Sequence, residues 1–250
     1  MKAISDDVLS ALSAARIEGT SLFLEGRLDR KLYQAVARVI EAAGGKWDRK
    51  AAAHLFDGDA TRIIDLVLLT GTVENRKQSF GQFDTPKDTA ARLLESAKLR
   101  AGMRVLEPSA GLGNLAIPAR DAGCRVDCVE CEPRRAEHLR AVFAEGCSVF
   151  EGDFLRLTPS MTGLFDRVVM NPPFARQADI RHVLHAMQFL QSNGRLAAIM
   201  SAGVKFRQDH ATRSFRAFAE GHAGTITDLP DGSFRESGTD VRAVIVTMNA

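Results

Sequence analysis

The 250-residue chain has the composition of an ordinary globular protein, with 45% apolar and 26% charged residues. Its longest apolar runs fall far short of the ~20 residues that a membrane-spanning helix needs. Acids at Asp6 and Asp7 stand where a signal peptide requires an apolar stretch. The net charge of +2 gives no strong general attraction to nucleic acid. These features predict a cytoplasmic protein that has no membrane partner.

Residues 1–78 are predicted to form a small α+β accessory module, for which nucleic-acid binding is a candidate role. Residues 28–43 carry apolar side chains at helical spacing and end at Gly44-Gly45, a common helix stop. Residues 46–50 and 53–56 fit a short hairpin, and a further helix follows through Leu69. Trp47 lies among basic residues of the hairpin and could stack on a nucleic acid, although a lone Trp is more often a core anchor.

From residue 79 to residue 250, strand and helix patterns alternate and predict one α/β domain. Strands separated by helices of about 10–15 residues indicate a doubly wound, Rossmann-like, mostly parallel sheet. The linker between the last two strands is too short for a helical crossover, so the last strand should be antiparallel. The predicted seven strands lie at 103–107, up to Glu130, 148–150, 165–170, 195–200, 224–228 and 241–248.

The cysteines include the spacing of an iron–sulfur cluster motif, C-x3-C-x2-C, at Cys124, Cys128 and Cys131. Such ligands require a loop that wraps the cluster, whereas these residues lie on or beside a predicted buried strand, whose side chains alternate between faces. The six histidines and four cysteines also form no convincing zinc spacing. We therefore predict core cysteines and no metal.

A glycine loop at residues 105–114 joins a predicted strand to a predicted helix, where the backbone can approach a ligand closely. Three acids accompany it, because Glu107 and Glu130 end successive strands and Asp153 follows the third. Glu130 is placed to accept hydrogen bonds from ribose hydroxyls, and Asp153 from an adenine amino group. The third glycine of a dinucleotide loop and the Gly-Lys-Ser/Thr of a P-loop are absent. An adenosine ligand without phosphates, such as S-adenosylmethionine, fits this pattern; an ordinary tight turn is the structural alternative.

The tetrapeptide Asn171-Pro172-Pro173-Phe174 follows the fourth predicted strand of this domain. Its prolines remove two N–H donors, so the carbonyls of the turn can face a substrate, and Asn171 adds a side-chain acceptor. Two acceptors can hold both hydrogens of an NH2 group and aim its lone pair at an electrophile. Phe174 offers a stacking platform for a flat substrate. The structural alternative is a rigid turn with a core phenylalanine.

These motifs together resemble the class I amino-group methyltransferases, in particular the gamma-type adenine-N6 DNA methyltransferases. Phe83-Asp84-Thr85-Pro86 is similar to the family's Phe-x-Thr-Pro motif, and Asn171 in the tetrapeptide favours adenine over cytosine. The resemblance implies S-adenosylmethionine as cofactor and DNA as substrate. The cofactor residues that it implies are Phe83, Thr85, Pro86, Glu107, Pro108, Ser109, Ala110, Gly111, Gly113, Glu130, Asp153, Phe154 and Asn171.

One departure from the gamma type concerns sequence recognition, since no large recognition domain follows the last predicted strand. Base and backbone contacts would then come from the N-terminal module, a partner or basic loops. Phe234 resembles the family's second aromatic against a flipped base, with a turn-capping role equally open. The candidate substrate contacts are Phe174, Phe234, Arg176, Arg181, Lys205, Arg207 and Trp47.

The predicted function is therefore methyl transfer from S-adenosylmethionine to the exocyclic amine of a flipped-out adenine in DNA. RNA bases or a protein glutamine are alternative substrates, because methyltransferases for these use a similar turn. A non-catalytic binding module on the same fold is a second alternative. A bacterial, phage or mobile-element context fits a methyltransferase without a recognition domain.

Overall fold

The computed structural model describes residues 4–56, 59–73, 84–143 and 147–250. The chain forms two compact units. One contains Met1–Ser79 and Ala202–Ser214, and the other contains Phe80–Ser201 and Phe215–Ala250. The sequence suggested a boundary near residue 78 but carried no sign that residues 202–214 group with the first unit.

The helices and strands of the described residues follow in chain order. The helices are α1 (Asp6–Ser13), α2 (Arg30–Ala42), α3 (Ala60–Thr70), α4 (Lys87–Ala97), α5 (Ala116–Asp121), α6 (Pro133–Val142), α7 (Pro159–Thr162), α8 (Ala178–Ala186), α9 (Gly203–Phe206) and α10 (His210–Gly221). The strands are β1 (Arg16–Glu18), β2 (Ser21–Phe23), β3 (Lys46–Asp48), β4 (Ala53–Leu55), β5 (Arg104–Glu107), β6 (Arg125–Glu130), β7 (Cys147–Glu151), β8 (Phe165–Met170), β9 (Leu190–Ser201), β10 (Thr225–Asp228) and β11 (Ala243–Asn249).

The first unit contains an antiparallel sheet in the order β1-β2-β4-β3. Asp29 and Asp59 start α2 and α3, because each carboxylate accepts hydrogen bonds from backbone N–H groups of the first turn. The predicted helix before Gly44 and the predicted hairpin at β3 and β4 are confirmed. Helix α1 and the hairpin of β1 and β2 were not predicted, since strands of three residues are too short to show alternation.

The second unit is built on a seven-stranded sheet in the order β10-β11-β9-β8-β5-β6-β7. Strands β5 to β9 are parallel, whereas β11 is antiparallel to both β9 and β10, as predicted. Both faces of a parallel sheet are covered, so its central strands must be apolar; Val105, Val168 and Ile199 are fully buried. The strand order reverses between β5 and β8, which opens a crevice at their carboxyl ends.

One helix start differs from the sequence prediction. A Thr-Pro pair is typical of an N-cap residue followed by proline at the first helical position, so the sequence predicts that Thr85 caps a helix that begins at Pro86; this prediction is wrong. Pro86 has extended backbone (ψ 150°) and is itself the N-cap residue, so α4 begins at Lys87. The Thr85 hydroxyl is therefore available for another contact, described below. Nowhere in the described ranges is a helix both long and apolar enough to cross a membrane.

Candidate active site

A cleft of about 630 Å³, partly open to solvent, lies at the carboxyl ends of the central strands of the second unit. The lining residues come from the segment before α4, the ends of β5, β6, β7 and β8, and helices α6 and α8. They are Asp84, Thr85, Glu107, Pro108, Ser109, Ala110, Gly111, Leu112, Asn114, Val129, Glu130, Cys131, Arg135, Gly152, Asp153, Phe154, Asn171, Pro173 and His182.

The glycine loop between β5 and α5 is fixed by Glu130 at the end of β6. The Glu130 carboxylate accepts hydrogen bonds from the backbone N–H of Gly111 at 2.7 Å and of Glu132 at 2.8 Å. Gly111 and Gly113 have φ values of +56° and +84°, a left-handed backbone that favours glycine. The loop therefore holds its shape, and the absence of a side chain at Gly111 leaves room in the cleft that this residue lines.

Glu107 ends β5 at the floor of the cleft and is 2% exposed. One of its carboxyl oxygens accepts a hydrogen bond from the backbone N–H of Ala116, while Oε2 has no partner among the described residues. Burial is the main cause that raises the pKa of this carboxyl well above its ordinary value, and the negative charge of Glu130 adds to it. A buried acid with an unused oxygen is suited to a ligand that carries positive charge or hydrogen-bond donors.

The segment before α4 and the tetrapeptide after β8 meet through one side-chain hydrogen bond. The Asn171 amide nitrogen donates to the Thr85 hydroxyl at 3.0 Å, although the two residues are 86 positions apart in the chain. Asn114, which no sequence motif selects, donates from its side chain to the Thr85 carbonyl at 2.8 Å. Because Thr85 is 5% exposed, these bonds are protected from water and orient the Asn171 amide at the cleft.

The two predicted aromatic substrate contacts pack against each other. Phe174 and Phe234 are 5% and 0% exposed. Their rings meet edge to face, with centroids 6.5 Å apart and planes at 78°. A planar base does not fit between rings in this arrangement, and neither ring lines the cleft. Pro172 is buried, whereas Pro173 lines the cleft.

The far end of the cleft is formed by Asp153 and Phe154 after β7. Asp153 accepts a hydrogen bond from the backbone N–H of Leu155 at 3.0 Å, which fixes the turn. Phe154 is 3% exposed and lies beside His182, with ring centroids 6.0 Å apart. Burial lowers the pKa of His182. The sequence offered no signal for His182, because a lone histidine on an amphipathic helix belongs to no motif.

The other predicted site residues of the second unit that the structure describes lie away from the cleft lining. Pro86 and Gly113 hold the shapes of the segments that contain them, and Phe83 lies outside the described residues. Arg176 and Arg181 are exposed beyond the tetrapeptide, where Arg181 donates to the Arg176 carbonyl at 3.0 Å.

Three predicted nucleic-acid contacts belong to the first unit. Lys205 is exposed, and Trp47 is 53% exposed with its edge against the His54 ring. Arg207 instead forms an ion pair with Asp65 at 3.4 Å, and its side chain is 12% exposed. Arg207 is therefore less accessible than the sequence suggested. Within the described ranges no three His, Cys, Asp or Glu side chains are grouped as metal ligands would be.

The fold and the cleft define a class I methyltransferase with a Rossmann-like sheet. Residues 73–222, more than half of the chain, match the methyltransferase small domain family, and the protein belongs to that family. S-adenosylmethionine is accordingly its cofactor. The cleft fits this molecule. Its carboxylates can accept hydrogen bonds from ribose hydroxyls and an adenine amine and can face a positive charge, and its glycine loop leaves room beside them.

Several solved structures share the fold at low sequence identity. A type I restriction enzyme modification subunit from Vibrio vulnificus is 16% identical, with a TM-score of 0.57, and the match covers 76% of this chain and 48% of that one. This chain thus spans about half the length of that subunit. A class I S-adenosylmethionine-dependent methyltransferase from Listeria monocytogenes is 15% identical, with a TM-score of 0.55 and coverage of 76% and 67%. The 23S rRNA methyltransferase ErmE is 22% identical, with a TM-score of 0.52 and coverage of 67% and 69%. No curated protein matches the sequence.

Proposed function

We propose that the protein methylates the exocyclic N6 amine of adenine in DNA. The observation that carries the proposal is the hydrogen bond between Asn171 and Thr85 at 3.0 Å. It joins the tetrapeptide that would hold an amino group to the Phe-x-Thr-Pro segment, which in the family that this chain resembles favours DNA over RNA as substrate. The predicted cytoplasmic location is part of the proposal.

The cofactor residues of this proposal follow the cleft from end to end. Glu130 would hold the ribose hydroxyls, and Asp153 the adenine amine beside Phe154. Thr85 and the glycine loop would contact the methionine part. The buried Glu107 beneath the loop would favour the positive charge of the cofactor, because an opposite charge stabilises a carboxylate in a dry site.

Bound S-adenosylmethionine supplies an electrophilic methyl group on a sulfonium that is already a good leaving group. The task of the protein is then to position the amine and to exclude water. Asn171 accepts one hydrogen of the amine, and the Pro172 carbonyl accepts the other. Thr85 keeps the Asn171 amide from rotating. This arrangement directs the lone pair of the amine toward the methyl group.

The target adenine must leave the DNA stack to reach this position, which costs a few kcal/mol. In the proposal, Phe174 turns out of its contact with Phe234 and stacks on the base. Stacking of a base on an aromatic ring contributes about 1–3 kcal/mol, which offsets part of the cost of flipping. Arg176, Arg181 and Lys205 would contact the DNA backbone.

The test is transfer of labelled methyl from S-adenosylmethionine to DNA, RNA and protein in parallel. We expect label in DNA at N6 of adenine. Asn171→Ala should lower kcat on the order of 100-fold while S-adenosylhomocysteine still binds. Asn193→Gly is the matched control, since Asn193 is exposed and has φ +66°, a backbone that glycine also adopts.

Each other outcome assigns a different function. Label in RNA or protein alone would overturn the DNA assignment and leave a methyltransferase. Absence of transfer to every substrate, together with absence of cofactor binding, would favour a non-catalytic binding module.

A further inference from the structure

An ion pair bridges one side of the cleft between the segment before α4 and helix α6. Arg135 Nη1 lies 2.9 Å from Asp84 Oδ1, and the side chains are 22% and 38% exposed. Arg135 Nε lies 2.9 Å from the carboxylate of Glu132, the N-cap residue of the same helix. Glu132 therefore holds the guanidinium at Nε, and Nη1 is directed toward Asp84.

Arg135 has an unusual place in the charge distribution of the cleft. Among the described lining residues the acids are Asp84, Glu107, Glu130 and Asp153, whereas Arg135 is the single lysine or arginine. An adenosine ligand alone gives no reason for a guanidinium, because its hydroxyls and amine are donors that carboxylates satisfy. A ligand with a carboxylate does, since a guanidinium donates two parallel hydrogen bonds to it.

The ion pair lies directly against the glycine loop. A Cβ atom placed on Gly111 would be 3.3 Å from Arg135 Nη1 and 3.5 Å from Asp84 Oδ1. The absence of a side chain at Gly111 thus leaves space beside both charges. Thr85, which the proposed function places at the methionine part of the cofactor, directly follows Asp84.

We infer that Asp84 and Arg135 together recognise the zwitterionic amino-acid end of the cofactor. Arg135 binds the carboxylate and Asp84 binds the ammonium, so the internal ion pair is exchanged for two intermolecular ones. Asp84 is the variable position of the Phe-x-Thr-Pro segment, and Arg135 lies outside every sequence motif described above. This inference rests on the proposed binding of the cofactor in this cleft and adds the residues that read its amino-acid end.

The test compares two ligands by calorimetry. S-adenosylhomocysteine has the amino-acid end, and 5′-methylthioadenosine lacks it. Arg135→Gln should weaken the binding of S-adenosylhomocysteine about 10-fold or more, as expected for loss of a charge-assisted hydrogen bond. The same change should alter the Kd of 5′-methylthioadenosine less than about twofold. Asp84→Asn should give the same pattern. For an analogue of S-adenosylhomocysteine that lacks the amino group, Arg135→Gln should weaken binding and Asp84→Asn should not.

A matched control and the wild type separate the possible outcomes. Arg140→Gln removes another α6 arginine that pairs with a carboxylate, Glu151 at 3.1 Å, away from the cleft lining, and should affect neither ligand. Failure of the wild type to bind S-adenosylhomocysteine would refute the cofactor site itself. If the wild type binds, equal weakening of both ligands, or weakening of neither, would overturn the inference. Melting temperatures show whether each variant folds. If Arg135→Gln does not fold, the comparison of the two ligands is made with Asp84→Asn.

Discussion

Replacement of Glu107 by glutamine should stabilise the free protein increasingly as the pH rises. Glutamine has the same shape, and its carbonyl can still accept the hydrogen bond from Ala116. Since burial raises the pKa of Glu107, the folded chain retains a proton on this carboxyl at pH values where the unfolded chain has lost it. Unfolding then releases a proton, so the free energy of unfolding falls as the pH increases. A glutamine side chain at this position cannot titrate and escapes this loss.

The magnitude follows from one proton and the two pKa values. The difference in unfolding free energy, variant minus wild type, should grow by about 1.4 kcal/mol per pH unit. The growth begins near the ordinary pKa of 4.5 and stops at the raised pKa of the folded state. Other titrating groups contribute equally to both proteins, and their effects cancel in the difference.

Urea unfolding of both proteins at several pH values between about 4.5 and 8 measures this difference. Glu95→Gln on α4 is the matched control, because Glu95 is exposed and undergoes the same chemical change. Parallel stability curves for wild type and Glu107→Gln over the whole range would refute the reasoning. They would mean that the carboxyl is as well solvated in the folded chain as in the unfolded one.

Two further changes test the site. Thr85→Val should lower kcat about fivefold, because Asn171 loses the acceptor of a neutral hydrogen bond that contributes about 1 kcal/mol. Thr85→Ser keeps the hydroxyl and should keep most of the activity. Equal kcat values for the two variants would show that the hydroxyl does not matter. Gly113→Ala should destabilise the protein by at least about 1–2 kcal/mol, because φ is +84° and the new Cβ would lie 3.1 Å from Leu139. Gly102→Ala shares φ +84° and has no atom within 4 Å, so urea unfolding of both variants separates crowding from backbone strain, and equal losses would exclude crowding.

The architecture of the second unit could be predicted from sequence because its central strands are buried on both faces. Residues 196–200 of β9 and 243–246 of β11 are short apolar runs of the length of a buried strand. The antiparallel last strand followed from a linker too short for a crossover. In contrast, β1 and β2 span three residues each, and a pattern of period two cannot be recognised in so few positions.

The candidate site was predictable only where a motif implied its chemistry. Glu130 and Asn171 were found because strand-end acids and the tetrapeptide have recognisable contexts. The bond between Asn171 and Thr85, by contrast, depends on folding that brings distant segments together. The edge-to-face packing of Phe174 and Phe234 depends on rotamers, which no pattern of residues reveals. Stacking of either ring on a base therefore remains a prediction.

The grouping of residues 202–214 with the N-terminal portion affects how this protein can be divided or recombined. Helix α9 contacts α1, Val204 and Phe206 are 2% and 6% exposed, and Arg207 pairs with Asp65. A truncated chain that begins at residue 80 would lose the groups that cover these side chains and would present them to water. Exchange of N-terminal portions between relatives would likewise succeed only when a compatible version of the 202–214 segment is transferred with them. The first unit thus consists of two separate segments of chain, and a substitution in one segment restricts which residues the other segment can accept.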